Sequence, residues 1–519
     1  MNITFEVSDL LGVLPVIILC LFGLAAMFLE VFAQKGASRG FIGTVSVLGF
    51  VVAFVVNQMQ WEGKPFSDAL FGGMLVNDTY AAFFNMIFLA GGLLAVLMSR
   101  KYLAEHKMDH GEYYALMIFS AAGMCLMAAS RDLIVLFVAL EIMSVAVYVL
   151  TGYLRRNRKS AEGALKYFLM GAFASGILLY GVALLYGATG STDMVGIREA
   201  LEGQSDLAGS TLVKLGVALI LVGLGFKVAL APFHFWAPDV YTGAPSPVTA
   251  FMAVGVKAAG FAALVRLFTI AFGLGDLQFG LPVEGAEALA GVPVARDGNG
   301  WVGVVYFLAI LTMFAGNLGA IAQSNVKRML AYSSVSHAGY LLVGVVAGAM
   351  SPGSEATSAI MYYLLTYTFS TFLAFGVIAL FGKGGEEYTH YSDFAGVGFK
   401  KPFLGLALML GVLSLAGIPP LAGFFGKFYL FKEAMAVGSP QMTTLVIIAI
   451  INSMIALYYY LRVIVFLYMK PATREVPMFT SHSVTAVLVI SLALVVILGV
   501  FPDDYLEMAR SSLLSLGPQ

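Results

Sequence analysis

Apolar runs of roughly twenty residues alternate with short polar breaks along almost the whole chain. A membrane-crossing helix needs about 20 such residues. The pattern predicts fourteen spans, at about 10–33, 40–57, 79–99, 112–129, 131–154, 164–188, 211–230, 247–273, 300–322, 330–350, 357–382, 401–436, 443–469 and 484–502. Two are irregular. The seventh is interrupted after Lys227 by "ALAPFHFWAPD", and the twelfth by "AGIPPLAGFFGKF", just ahead of the end of which stands Lys427. Proline removes a helical hydrogen bond and clashes with the preceding turn, so both spans are expected to break there. The polar stretches 189–210 and 274–299 read as ordinary loops.

The expected fold is an all-α polytopic membrane protein, with 1–519 a single membrane domain. An internal similarity divides it further. "ALKYFLMGAFASGILLYGVALLYGATG" (164–190) aligns without gaps over "AIMYYLLTYTFSTFLAFGVIALFGKGG" (359–385), with ten of 27 positions identical, Tyr167/Tyr362 and Ser175/Ser370 among them. The two irregular spans are also five apart. Five is odd, so the second copy crosses in the opposite sense, and paired broken helices in inverted repeats build midplane sites in many transporters. The reading is three N-terminal helices in 1–110, a first repeat in 111–273 (helices 4–8), a second in 300–469 (helices 9–13) and a last helix at 484–502.

Composition agrees with the pattern. Hydrophobic residues make up 60% of the chain and charged residues 11%, against about 25% charged in a soluble domain. A net charge of −1 suggests no nucleic-acid partner. The two cysteines, Cys20 and Cys125, sit alone in apolar runs, and without a CxxC or Cys/His cluster the chain is expected to bind no metal and no iron–sulfur centre. There is no phosphate-cradling loop and no dinucleotide fingerprint. Loops after odd-numbered spans carry the lysines and arginines, including Arg155, Arg156, Arg158, Lys327, Arg328, Lys400 and Lys401; loops after even-numbered spans are acidic, with Asp193, Glu199, Glu202 and Asp206. The positive-inside rule then puts both termini outside, on the periplasmic face of a bacterial plasma membrane.

Four ionisable residues stand deep in apolar segments: Glu141 in span five, Lys227 before the break in span seven, Lys257 in span eight and Lys427 past the break in span twelve. Each costs about 2.5–3.5 kcal/mol at the bilayer centre, which marks it as functional by default. Burial lowers a lysine's proton affinity and a neighbouring carboxylate restores it. A Glu141/Lys227 pair would therefore load or release a proton as its separation changes, with Lys257 passing it on and Lys427 exchanging it with the other side. Lys166, near the end of span six, is as well placed to reach the surface as to join that line. His234 in the break and His337 in span ten are relay candidates that titrate near neutral pH, or satisfied polar groups. Asp239 reads as a helix cap.

The stretch "KVALAPFHFWAPDVYTGAPSPVTAFMAVGVKAAGF" (227–261) resembles the signature of the antiporter-like subunits of respiratory complex I, the proton-translocating NADH:quinone oxidoreductase. The wording "VYTGAPSPVTAF" is similar to the N-type branch rather than to its L and M sisters. "VKRMLAYSSVSHAGYLLVG" (326–344) and "LSLAGIPPLAGFFGKFYLF" (413–431) match as well. The resemblance covers nearly the whole chain. It implies a fourteen-helix fold with two inverted five-helix repeats. It also implies proton-transfer roles for Glu141, Lys227, Lys257 and Lys427, with Lys166, His234 and His337 on the same polar axis. NADH, flavin, iron–sulfur clusters and quinone would belong to other subunits, leaving no cofactor in this chain; the partners would be the other membrane subunits, sister antiporter-like chains included, and lipid. Two rival readings use the same residues: a subunit of a multi-subunit cation/proton antiporter, and a non-conducting scaffold.

Overall fold

The computed structural model describes residues 7–34, 38–62, 69–272, 300–351, 353–472 and 475–513. The stretch 274–299, read as a loop from the sequence, lies outside them. Twelve helices among the described residues are long and apolar enough to cross a membrane. They are α1 (Leu14–Phe32), α2 (Gly40–Glu62), α3 (Thr79–Glu105), α4 (Gly111–Ala129), α5 (Leu133–Thr151), α6 (Arg158–Thr189), then, beyond the first break, α9 (Ser246–Ile270), α10 (Gly300–Ile321), α11 (Val326–Met350), α12 (Ala356–Ile378), and finally α15 (Pro440–Met469) and α16 (His482–Val500). The two irregular spans are each a pair of shorter helices: α7 (Thr211–Lys227) with α8 (Trp236–Gly243), and α13 (Pro402–Ala416) with α14 (Ala422–Ala436). Twelve whole helices and two broken ones make the fourteen expected crossings.

The repeat is visible in the packing. α6 lies along both halves of the first broken span, α7 and α8, and α12 lies along both halves of the second, α13 and α14. The aligned helices 164–190 and 359–385 are thus the two backs against which the breaks rest. The centre of the molecule is α9, α11 and α12, whose apolar stretches are almost wholly buried, while α1 and α6 turn most of their surface outward. Phe28 and Phe173 are more than half exposed on those outer faces. A soluble protein would hide such residues; exposed on helices of membrane-crossing length, they suit a lipid environment.

Freed backbone groups at the breaks find partners inside the protein, as the apolar surroundings require. At the first break, Ala231 N–H donates to Thr312 Oγ1 of α10 at 3.0 Å, and the Trp236 indole donates to the Phe226 carbonyl at 3.0 Å. At the second, Gly423 N–H donates to Ser414 Oγ at 3.1 Å, and Gly417 and Ile418 both turn back to the Leu413 carbonyl. Gly417 takes φ +88°, and a Cβ there would stand 3.0 Å from Cδ of Lys427. Only glycine both adopts that conformation freely and leaves room for the lysine stem.

Three features differ from the sequence reading. The stretch 189–210 is not plain loop: it holds a helix at Met194–Gly203 and a turn of helix at Ser205–Ala208. Asp193 caps the first by accepting from Gly196 N–H at 2.9 Å, and Met194, Ile197 and Leu201 bury one face. The eleventh span ends at Ile378, and the chain then forms a small hairpin of β1 (Gly382–Lys383) and β2 (Glu386–Glu387). Its loop is Gly384 and Gly385, both with positive φ, the conformation a two-residue hairpin loop needs. Finally, the eighth span is not uniform. A π-helical turn, Met252–Val256, interrupts it directly before Lys257; such turns are frequent at functional positions.

Candidate functional site

Three buried lysines and one partly buried glutamate form a line through the molecule, held by hydroxyls and carbonyls; Glu141, expected deep in its span, is only half-buried. Glu141 faces α6, where Ser175 donates a 2.5 Å hydrogen bond to its Oε1. One turn along α5, Ser144 accepts from Lys227 Nζ at 2.7 Å. Glu141 and Lys227 therefore do not touch: a serine hydroxyl, itself bonded back to the Leu140 carbonyl, stands on the helix face between them. Lys227 is the last residue of α7, where the unpaired carbonyls of a helix end favour a cation. The rings of Tyr148, Tyr167 and Phe226 surround its ammonium at 5.4–5.9 Å.

The line crosses next to α9. The stem of Lys227 and the side chain of Val228 lie against Gly260, one turn beyond Lys257. Lys257 is buried, and its Nζ donates to Ser334 of α11, to the hydroxyl at 2.5 Å and to the carbonyl more closely still. One turn further along α11 is His337. Its Nδ1 shares a 2.6 Å hydrogen bond with the Tyr363 hydroxyl and its Nε2 a 3.0 Å bond with the Tyr460 hydroxyl. A small cavity lined by His337, Tyr363, Thr366, Ser370, Ser414 and Gly423 continues to the second break. Lys427 stands one turn past Gly423. Its Nζ donates to the Ala416 carbonyl at the end of α13 (2.8 Å) and to Ser453 of α15 (2.9 Å), over the ring of Tyr340 at 5.1 Å.

Among the described residues, none of the three lysines has a carboxylate within ion-pair distance; all their partners are neutral oxygens. The site is thus a series of titratable groups, each hydrogen-bonded to at least one hydroxyl.

The other sequence candidates fall differently. Lys166 is surface-side: 42% of its side chain is exposed, and it pairs with Glu162 at 2.7 Å and Asp239 at 2.8 Å. Asp239, read as a cap, also takes Arg328 at 2.5 Å, so it ties α8 to α6 and to α11. His234 is buried in the first break, stacked on Phe235, and its Nδ1 has no partner among the described residues. It does not bond Lys227. Lys327, counted with the loop charges from sequence, is fully buried and paired with Glu387 at 2.6 Å. On metals, Glu30, His110 and Glu112 bring ligand atoms within 4.8 Å of one another, but Glu30 Oε2 is already engaged by Arg39 and by Gly111 N–H.

The partners missed from sequence are the hydroxyls: Ser144, Ser175, Ser334, Tyr363, Tyr460 and Ser453. Ser175 carried a signal, as an identity shared with Ser370 in the repeat, and Ser334 lies in the quoted stretch 326–344. The others carry no local mark that separates them from packing residues.

Comparison with known proteins gives this geometry a family. The family model described as NADH:quinone oxidoreductase/Mrp antiporter, TM, matches residues 130–280 and 289–456. The chain is 43% identical to NADH-quinone oxidoreductase subunit N of Trichlorobacter lovleyi over 98% of both chains. Among solved structures, it is similar to a chain of respiratory complex I from Thermus thermophilus with bound aureothin: TM-score 0.75, 34% identity, 95% of this chain and 98% of that one. A chain of the Mrp complex from a Dietzia species shares the fold at TM-score 0.79 and 20% identity, covering 99% and 98%.

Proposed function

Because the chain belongs to the family of NADH-quinone oxidoreductase N subunits, we propose that it moves protons within such a complex along the line Glu141, Lys227, Lys257, His337, Lys427. The observation that carries this reading is the set of three buried lysines held only by neutral oxygens and joined through two helix breaks. Quinone reduction in other subunits would alter the charge or hydration next to Glu141. With Ser144 between them, Glu141 and Lys227 would gain or lose mutual attraction through a small side-chain movement, and the proton on Lys227 would follow. Lys257, Ser334 and His337 would carry it across the centre, and Lys427 would exchange it at the second break.

The same reading assigns NADH, flavin, iron–sulfur clusters and quinone to partner subunits, and puts this chain beside sister antiporter-like subunits in a bacterial plasma membrane. It takes both termini as periplasmic, from the loop charges, and the repeats as 111–273 and 300–469. Lys166 acts at the cytoplasmic edge through Asp239, and His234 lines the first break. A cation/proton antiporter subunit is the other use of this fold, supported by a family description that also names Mrp antiporters and by likeness to an Mrp chain at 20% identity. The test is Lys227→Ala and Glu141→Ala in the assembled complex, reconstituted in vesicles. Coupled turnover and NADH-driven acidification should both fall while the complex still assembles; native pumping in both variants would sink the proposal.

A further inference from the structure

One buried ion pair lies off this line. Lys327 opens α11 with no exposed surface, and its Nζ donates to Glu387 Oε2 at 2.6 Å and to the Ala244 carbonyl at 2.7 Å. Glu387 Oε1 accepts from the Tyr102 hydroxyl at 2.6 Å and from Ser246 N–H at 2.9 Å. The pair therefore joins the hairpin, the start of α11, the end of α3 and the junction of α8 with α9. Stability alone is a poor reason for it, since a buried ion pair is often no better than well-packed apolar residues.

Its surroundings give another reason. Outward lies a groove of about 700 Å³ lined by His106, Lys107, Arg155, Arg156, Arg158 and Glu386. His106 forms its inner wall: it stacks on Tyr102 with ring centroids 4.2 Å apart, its Nδ1 accepts from Gly385 N–H at 3.1 Å, and its buried Nε2 has no partner among the described residues. Burial holds this imidazole below its usual range, so it is neutral at pH 7, and with Nδ1 accepting from Gly385 its one hydrogen sits on the unpartnered Nε2. For Glu387, burial pushes the carboxyl up, but Lys327 and the hydrogen bonds from Tyr102 and Ser246 outweigh it and hold it below the usual carboxylate range, so it is ionised. Inward, Lys327, Ser334 and His337 lie two turns and one turn apart on one face of α11, and Ser334 is the residue that holds Lys257.

We propose that Glu387 and Lys327 are the proton-uptake pair that reloads Lys257 from the hairpin side of the membrane. A proton arriving through the groove binds Glu387. Lys327, now a buried cation beside a neutral acid, gives up one of its own protons, which passes by water over the two turns to Ser334, about 10 Å along the helix, and onto neutral Lys257. Neutral Lys327 then takes the proton from Glu387 and the ion pair is restored. One proton enters, one leaves, and no other bond changes. This inference rests on the reading that Lys257 lies on the path.

The test uses the intact complex in vesicles, with NADH-driven acidification, turnover and native-gel assembly measured together. Glu387→Gln keeps an acceptor for Tyr102 and Ser246 but cannot shuttle a proton. It should assemble and lose pumping roughly tenfold or more, at or below the 10²–10⁴ lost with a general acid–base group. Lys327→Met combined with Glu387→Leu restores apolar packing without a titrating group, and should assemble yet pump as poorly. Native pumping in either, or failure of both to assemble, overturns the proposal, because the pair is then packing alone. Lys257→Ala in the same preparation separates the two claims. If it pumps normally, the path itself falls and this inference with it. If it fails while Glu387→Gln pumps normally, only the uptake pair falls.

Discussion

Lys257 has two oxygens within reach, both from Ser334, and no carboxylate. Holding an ammonium on those alone costs the chain several kcal/mol relative to an apolar residue, a cost that the proposed proton-transfer role of Lys257 would account for. Arginine separates charge from titration: it stays protonated in any protein environment. Lys257→Arg is therefore expected to lose as much coupled turnover as Lys257→Ala, while a merely electrostatic role would leave the arginine variant active. NADH-driven acidification of vesicles carrying each variant checks this. The residue scale is also where the sequence was most informative. Glu141, Lys227, Lys257 and Lys427 announce themselves because charge inside an apolar run is rare and costly. Their partners do not. Ser144 lies 83 residues from Lys227 and Ser334 lies 77 from Lys257, so those pairings exist only after the helices pack. Lys327 escaped for the opposite reason: its place beside a loop makes it look solvated, yet it is buried between the hairpin carrying Glu387 and the Ala244 carbonyl.

The breaks are the elements that give these lysines their surroundings, and proline in an apolar run made both legible. What the sequence did not reveal is how the breaks are repaired. Ala231 N–H reaches Thr312 of α10, a residue with no local mark. Thr312→Val keeps the shape and strands that N–H, at a cost of about 1–3 kcal/mol. The expected result is a lower thermal midpoint for the complex, with turnover per assembled complex reduced less than by any lysine variant. Gly417→Ala tests the second break. A side chain in the left-handed region costs roughly 1–2 kcal/mol, and this one presses on the stem of Lys427 as well. It should impair pumping more than Thr312→Val does, because it moves a group on the proposed proton path and not only its scaffold. Equal, small effects from the two would mean that the position of Lys427 is unimportant. The short helix Met194–Gly203 was legible in principle: an aspartate cap followed by apolar residues at 194, 197 and 201 is a helix signal that its polar neighbours obscured.

At the scale of the whole molecule, the two repeats pose a question that a single variant cannot answer. Lys227 lies at the first break and Lys427 at the second, with Lys257, Ser334 and His337 between them. If the breaks are two parallel paths, each carries part of the flux, and removing both lysines removes the sum of what each removes alone. If they are coupled parts of one path, with Lys227 setting when Lys257 passes its proton on to Lys427, either removal stops the same protons, and the double variant is no worse than the worse single. Groups that act as one unit show this non-additivity. The geometry favours the series arrangement. The stem of Lys227 rests against Gly260 one turn from Lys257, and the cavity beside His337 runs on to Gly423, one turn from Lys427. Protons translocated per electron should therefore be equal, within error, in Lys227→Ala, Lys427→Ala and the double variant. A double variant that pumps markedly less than both singles would instead make each repeat a channel of its own, and would leave the central hydroxyls of Ser334, Tyr363 and Tyr460 as packing between two independent routes.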